Sequence, residues 1–280
     1  MTVNEIYQSG LKLLENNNIE NSKFEAQSLL QKAFSLDRVG FIIHKTDKAD
    51  ENCSHNFLNF IEKRISGEPL QYILGEWSFM GFDFKVGRGV LIPRDDTEVV
   101  VNLCIDFLKN RTDKKTVDLC SGSGAIAVAL DKISGAEVTA VEIDETAFSY
   151  LETNVKENNS SVKPVMADAL KICDTFADGG LDLIVSNPPY IKSADIETLQ
   201  KEVQLEPRLA LDGGEDGCDF YREIVNRWSK KLKKGGALAF ELGEGQADAV
   251  KALMTEQGFS DFKISLDFGG VQRAIIGTLL

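Results

Sequence analysis

The sequence predicts an open α/β sheet with helices on both faces and a C-terminal antiparallel hairpin, preceded by a small helical bundle and a β-hairpin joint. Three observations predict it. From Thr116 onward, short apolar runs alternate with helical patterns, the signature of parallel strands joined by helices. The last two strand-like runs have no helix between them, only the tight joint Asp267-Phe268-Gly269-Gly270, so they should pair antiparallel. Before residue 67 the apolar residues recur at helical spacing instead.

Taken in order, residues 3–16 carry Ile6, Leu11, Leu13 and Leu14 on one helical stripe. Residues 22–34 repeat the pattern with Phe24, Ala26, Leu29, Leu30 and Ala33, and residues 54–65 with Phe57, Leu58, Phe60 and Ile61. The aromatic, glycine-punctuated stretch that follows reads as a β-hairpin with strands at 82–86 and 90–92. Pro93 stops the second strand, and Asp96 or Thr97 should cap a helix reaching about Leu108. Strands are expected at 116–120, 137–141, 162–166, 181–185, 237–242, 262–266 and 273–279. Helices are expected after the first of these and at 145–155, 219–232 and 246–257. Residues 192–217 form the longest irregular piece, a length typical of lids and binding surfaces. This gives a helical bundle at 1–74, a hairpin linker at 75–93 and an α/β domain at 94–280.

Composition narrows the function. Hydrophobic residues make up 43% of 280, enough for a substantial core. The N-terminal MTVNEIYQSG has neither the basic nor the apolar region of a signal peptide, and no apolar run reaches membrane-spanning length. Five scattered cysteines without a CxxC pair, and only two histidines, argue against a disulfide framework or a zinc site. A reduced, cytoplasmic protein without metal is expected. A net charge of −13 makes a poor general binder of phosphate backbones. The densest basic cluster, Lys230, Lys231, Lys233 and Lys234, falls where a helix should end and reads as a complement to its dipole.

The chemistry centres on Asn187-Pro188-Pro189-Tyr190, directly after the buried run 181–185. Neither proline has an N–H for a strand ladder, so the sheet must stop there. The residue types suit one task, holding an NH2 group on a planar system. The Asn187 side-chain carbonyl can accept one N–H and the Pro188 carbonyl a second. Pro189 restricts the conformation of Pro188, and Tyr190 can lie against a planar acceptor.

A second site is expected at Cys120-Ser121-Gly122-Ser123-Gly124, joining the first parallel strand to its helix. Gly122 and Gly124 permit a tight turn and close ligand approach. Neither GxGxxG nor GxxxxGK[ST] is present, which points to a nucleoside without a pyrophosphate. Glu142 ends the second strand about twenty residues on, where an acidic side chain can accept ribose hydroxyls. Asp144 reads as a helix cap. Asp168 could accept an adenine amino proton, and Ala169 could offer a backbone N–H to the ring. A phosphate-free nucleoside beside a site that orients an NH2 fits S-adenosyl-L-methionine.

At this point the chain resembles the peptide-chain release-factor glutamine methyltransferases. The likeness spans essentially the whole sequence. It runs through residues 67–75, Ile92-Pro93-Arg94 with Thr97-Glu98, residues 118–127 and 186–191, then Glu206-Pro207-Arg208-Leu209-Ala210-Leu211 with Asp212-Gly213-Gly214. Cys120 stands where that family usually has glycine, and Glu142 where it more often has aspartate. The resemblance implies a Rossmann-like class I methyltransferase domain and a helical domain that recognises release factors. It implies methyl transfer to the side-chain amide of the glutamine in their Gly-Gly-Gln loop. Asn-Pro-Pro-Tyr alone is shared with N6-adenine and N2-guanine methyltransferases, the competing expectation. No role for Arg94, Glu98 or the 192–217 loop is apparent from the sequence.

Overall fold

The computed structural model describes residues 1–280 and divides them into two units, Met1–Glu76 with Gln200–Leu205, and Trp77–Leu199 with Glu206–Leu280.

In the first unit α1 (Val3–Asn16) begins with a capping box, Thr2 and Glu5 exchanging side-chain and backbone bonds. Helices α2 (Ser22–Phe34) and α4 (Glu51–Ile65) pack on it through Leu14, Leu29, Leu30, Phe57 and Ile61, all fully buried. Two further helices were not legible in the sequence, α3 (Arg38–His44) and α5 (Leu70–Leu74). Helix α3 buries none of its residues, and at seven residues it is shorter than the window over which helical periodicity can be read. Within this unit Arg64 is buried and bonds Glu25 at 2.6 Å and Glu202 at 2.9 Å. Glu202 lies in a part of the 192–217 loop that folds with the bundle.

The second unit opens with a hairpin of β1 (Glu76–Phe79) and β2 (Phe82–Lys85); β2 is the strand expected at 82–86, but its partner precedes it, and the strand expected at 90–92 does not form. The turn is Met80-Gly81, with φ of 52° and 80°. Positive φ at both central residues is what a type I′ hairpin turn requires. Phe79 and Phe84 are buried in the core of this unit. Helix α6 (Thr97–Leu108) follows, but Asp96 makes no side-chain cap; it lies 3.5 Å from Arg273 instead. The Thr97 hydroxyl is likewise spent elsewhere, as described below.

The sheet contains β3 (Lys115–Leu119), β4 (Glu137–Glu142), β5 (Lys163–Met166), β6 (Leu181–Ser186), β7 (Leu232–Glu241), β8 (Phe259–Leu266) and β9 (Gln272–Leu279). Its order is β5-β4-β3-β6-β7-β9-β8. The first five strands are parallel; β9 pairs antiparallel with both β7 and β8. Helices α7 (Ala125–Ser134) and α8 (Glu145–Glu157) join α6 on one face. Helix α9 (Lys201–Gln204) is the short helix of the loop; α10 (Asp219–Trp228) and α11 (Ala247–Glu256) cover the opposite face. The period-two alternation explains the double cover. Leu183, Val185, Ala237 and Ala239 face α6 and α7, whereas Ile184, Leu238 and Phe240 face α10 and α11.

Helix α10 ends at Trp228 and continues as a 3-10 turn, Ser229–Lys231, one residue short of the expected 232, while β7 starts five residues before 237. Lys230 and Lys231 fall in that last turn, where the sequence places them, and two of the lysines also find acidic partners. Buried Lys231 donates to Asp178 at 2.7 Å, and Lys233 donates to Asp182 at 2.9 Å. These partners fix the end of the helical turn at Lys231 and the start of β7 just after it. The 192–217 loop is also less irregular than expected. It holds α9 and single turns at Ile196–Thr198 and Arg208–Ala210. At its base Ile191 donates to the Leu211 carbonyl at 2.9 Å and accepts from Gly213 at 2.8 Å. No helix is long and apolar enough to cross a membrane.

Candidate functional site

Every residue of β6 is buried. At its end the Ser186 hydroxyl donates to the Leu119 carbonyl at 2.7 Å, pinning the last residue of β6 against β3. The prolines then stop the ladder, as their missing N–H groups require. Asn187 is half-buried; its Nδ2 donates to Thr97 Oγ1 at 3.4 Å, and its Oδ1 makes no hydrogen bond within the protein. The Pro188 carbonyl accepts none either. Thr97 donates onward to Glu241 Oε2 at 2.6 Å, and the Tyr190 hydroxyl donates to the other oxygen of Glu241 at 3.2 Å. Gln246 Nε2 meets the Tyr190 carbonyl at 3.0 Å, so this tyrosine is held at both ends. Burial pushes the Glu241 carboxyl up to about 7, against the pull of Thr97, Tyr190 and Arg273. Burial and the nearby Glu241 push the Tyr190 hydroxyl well above its ordinary value.

A cavity of about 250 Å³ opens over the C-terminal ends of β3, β4 and β6. Strands β4 and β5 lie to one side of β3 and β6 to the other, so this is the crevice where the strand order reverses. Cys120, Gly122, Glu142, Asp168, Asn187 and Pro189 are on its wall, with Ser121, Ser123 and Ala169. Gly124, Pro188 and Tyr190 lie off it. Gly124 serves packing, because a Cβ there would meet Leu151 Cδ1 at 2.5 Å and its φ is 84°.

Cys120 adopts a φ of 59°. That left-handed conformation costs a residue with a Cβ about 1–2 kcal/mol, which is why glycine suits the position. Burial, with Glu142 close by, pushes its thiol up to about 12, so it stays protonated and is no nucleophile. Glu142 organises the loop. Its Oε2 accepts from Gly122 N at 2.8 Å, and its Oε1 from Ile143 N and Asp144 N at 2.8 and 2.9 Å. Of about four lone-pair sites on a carboxylate, one remains on Oε2 for a ribose hydroxyl. Glu142→Ala removes that acceptor and loosens the loop, and is expected to weaken S-adenosylmethionine binding by about 1.5–3 kcal/mol. Calorimetry checks this. An unchanged affinity would move the contact to Asp144, whose Oδ1 caps α8 through Thr146 N and Ala147 N, both at 2.9 Å.

Asp168 accepts from Leu170 N at 2.9 Å and pairs with Lys171 at 2.8 Å. Burial opposes its ionisation, but the Lys171 contact and the Leu170 N–H hold it below the usual carboxylate range. Its neighbour Ala169 gives its carbonyl to Trp228 Nε1 at 2.9 Å and keeps its N–H unbonded within the protein. These groups fit a nucleoside cofactor. Ile126, Val141 and Leu170 supply apolar walls, Glu142 one free acceptor site and Ala169 one free donor, and no atom crowds the space where a Gly122 Cβ would be. Beneath the loop Asp118 is fully buried with neither carboxylate oxygen bonded; burial pushes it up to about 8.

Several residues escaped the sequence reading. Glu241 is a lone charge in the apolar run 237–242, a signal that could have marked it. From the sequence Thr97 reads only as a cap. Arg94, whose role was not legible, pairs with buried Glu206, which also accepts from Ile92 N at 3.0 Å. Glu98 accepts from Met80 N at 3.2 Å and so ties α6 to the hairpin turn.

Comparison with known proteins agrees with this architecture. Residues 5–75 match the family described as "PrmC N-terminal domain", and residues 94–209 the "Methyltransferase small domain". A release factor glutamine methyltransferase from Geobacter sulfurreducens is 40% identical over 264 residues, covering 93% of this chain and 91% of that protein. One from Clostridium acetobutylicum is 33% identical over 280 residues, covering 99% and 98%. Among solved structures, a methyltransferase from Pyrococcus furiosus aligns with a TM-score of 0.53 at 22% identity, covering 72% of this chain and 90% of that one. The hMettl16 catalytic domain aligns at 0.58 and 14% identity, covering 87% and 85%. These two carry the fold alone. From its curated relatives, matched along nearly their full length, the chain belongs to the release factor glutamine methyltransferase family.

Proposed function

We propose that this enzyme transfers a methyl group from S-adenosylmethionine to the side-chain amide nitrogen of the glutamine in the Gly-Gly-Gln loop of peptide-chain release factors. The observation that carries this reading is the pair of unspent acceptors, Asn187 Oδ1 and the Pro188 carbonyl, at the end of β6 beside the cofactor cavity. S-adenosylmethionine, when bound, supplies a sulfonium methyl whose carbon–sulfur bond breaks as the new carbon–nitrogen bond forms. An amide nitrogen is a poor nucleophile because its lone pair is delocalised into the carbonyl. Asn187 and Pro188 accept its two N–H bonds, and these strengthen as the nitrogen gains positive character, before the methylated cation, strongly acidic, gives one proton to water. Contacts that strengthen toward the transition state lower the barrier. Holding the nitrogen in line with the methyl supplies the orientation term. No strong base is called for. The strongly perturbed carboxyls, Asp118 and Glu241, lie off the cavity wall.

The helical unit is proposed to dock the release factor. Its support is a face of α3 on which Val39, Ile42 and Ile43 are 61%, 59% and 64% exposed. They stand at i, i+3 and i+4, the spacing of a helix laid against a partner. Both parts are tested in one assay, mass spectrometry of the loop peptide after incubation with a release factor. A single methyl on that glutamine is expected; label entering DNA or RNA instead would favour the base-methyltransferase reading. Ile42→Ser combined with Ile43→Ser is expected to raise KM for the intact release factor about tenfold and to leave KM for a short loop peptide unchanged.

A further inference from the structure

We propose that Glu241 is a positioning residue for methyl transfer: acting through the Thr97 hydroxyl, it holds the Asn187 amide with its oxygen, not its NH2, toward the acceptor. This rests on the role given to Asn187 above. The two ends of a side-chain amide are nearly the same size, and half a turn about the last bond exchanges them. Shape cannot choose between them; hydrogen bonding must. If the NH2 end faced the cavity, it would meet the NH2 of a glutamine, donor against donor.

The choice is made one residue away. A threonine hydroxyl has one proton and two lone pairs. At 2.6 Å the Thr97 proton is given to Glu241 Oε2, a short bond of the charge-assisted kind. Only lone pairs then remain to face Asn187, so a donor must meet them, and Nδ2 does at 3.4 Å. The order is Asn187 N–H to Thr97 O–H to Glu241, with every proton pointing toward the carboxylate. Glu241 is 1% exposed, and its second oxygen is taken by the Tyr190 hydroxyl at 3.2 Å, so it has no other way to satisfy itself.

Other groups facing it are Arg273 from β9, which favours the charged form, and Asp96 before α6, which opposes it. From α10 the Tyr221 hydroxyl donates to the Glu241 backbone carbonyl at 2.9 Å. Protonated on Oε2, Glu241 would donate to Thr97 and free the threonine proton for Asn187, which would admit the reversed amide. Burial brings that protonation close to neutrality, at about 7. The ionised form is the productive one, so kcat should fall as pH drops through that value.

The test uses the full-length protein, a release factor and three substitutions. Thr97→Val keeps the shape and removes the hydroxyl. It is expected to lower kcat about ten- to hundredfold, with cofactor affinity and KM for the release factor within about twofold. Thr97→Ser restores the hydroxyl and is expected to return kcat to within about threefold of wild type. Wild-type kcat should fall on the acid side with an apparent pKa near 7, and Glu241→Gln should abolish that limb. Wild-type kcat in Thr97→Val, equal impairment in Thr97→Ser, or an unchanged acid limb in Glu241→Gln would each overturn the proposal. Should Thr97→Val fail to fold, the serine variant and the pH profile of Glu241→Gln still decide it. Failure of the wild-type enzyme to methylate the glutamine would overturn the acceptor assignment instead.

Discussion

Asn187→Asp is expected to lower turnover by about two to three orders of magnitude while S-adenosylmethionine binding persists or tightens. The substitution keeps size and leaves an oxygen that can still accept an N–H. It loses the Nδ2 donor that meets Thr97 Oγ1. Thr97 already gives its only proton to Glu241, so the new carboxylate would face lone pairs, with a second carboxylate just beyond them. Two acceptors cannot share that single proton, and like charges repel in a buried setting. The new side chain is therefore expected to swing away from Thr97 and leave the glutamine amide unaligned. A negative charge on the cavity wall also favours the cofactor's sulfonium in its ground state. That charge is lost as the methyl moves, so tighter binding of the cofactor works against turnover. Calorimetry and single-turnover rates separate the two effects. Unchanged turnover with intact cofactor binding would remove Asn187 from the chemistry.

What was legible follows from how local each signal is. The parallel strands and the C-terminal hairpin could be read because buried runs such as 181–185 need no distant partner to be recognised. The glycine loop, Glu142 and Asn187 were found because they lie at strand ends, where the fold puts ligands. The misread hairpin shows the limit. Met80 looks like a strand residue, yet it takes a positive φ as the first central residue of the turn, before Gly81. Helix α3 is hard to read because its apolar stripe, Val39, Ile42 and Ile43, covers little more than one turn, too short a run for the period to stand out. The helix-end position of the lysines is legible, but their partners are not, because Asp178 and Asp182 lie more than fifty residues away in sequence. The same distance hid the relay: Thr97 and Glu241 are 144 positions apart and meet only when α6 packs beside β7.

Gly213→Ala is expected to cost about two orders of magnitude in turnover, though residue 213 lies off the cavity wall. Its main chain runs beside the motif, Gly213 N donating to the Ile191 carbonyl at 2.8 Å. A Cβ at Gly213 would lie 2.7 Å from Tyr190 Cα, 2.8 Å from the Pro189 carbonyl oxygen and 2.9 Å from Tyr190 C. All three are backbone atoms, so no rotamer change relieves the contact. One of the two strands must move by several tenths of an ångström or more. The Asp212 side pulls the other way, because Asp212 Oδ1 accepts from Ser193 at 2.5 Å and from Gly214 N at 3.1 Å. The strain therefore passes to Pro189 and Tyr190, next to the Pro188 carbonyl and Asn187 that are proposed to hold the amide. Stability is expected to fall by about 1–3 kcal/mol, as for other overpacked sites. Cofactor affinity should change little, since the glycine loop and Glu142 lie on β3 and β4. The measurement is kcat with a release factor, alongside thermal unfolding and cofactor titration. Turnover within threefold of wild type in a folded variant would mean that the loop yields, and that the motif does not depend on its neighbour for position.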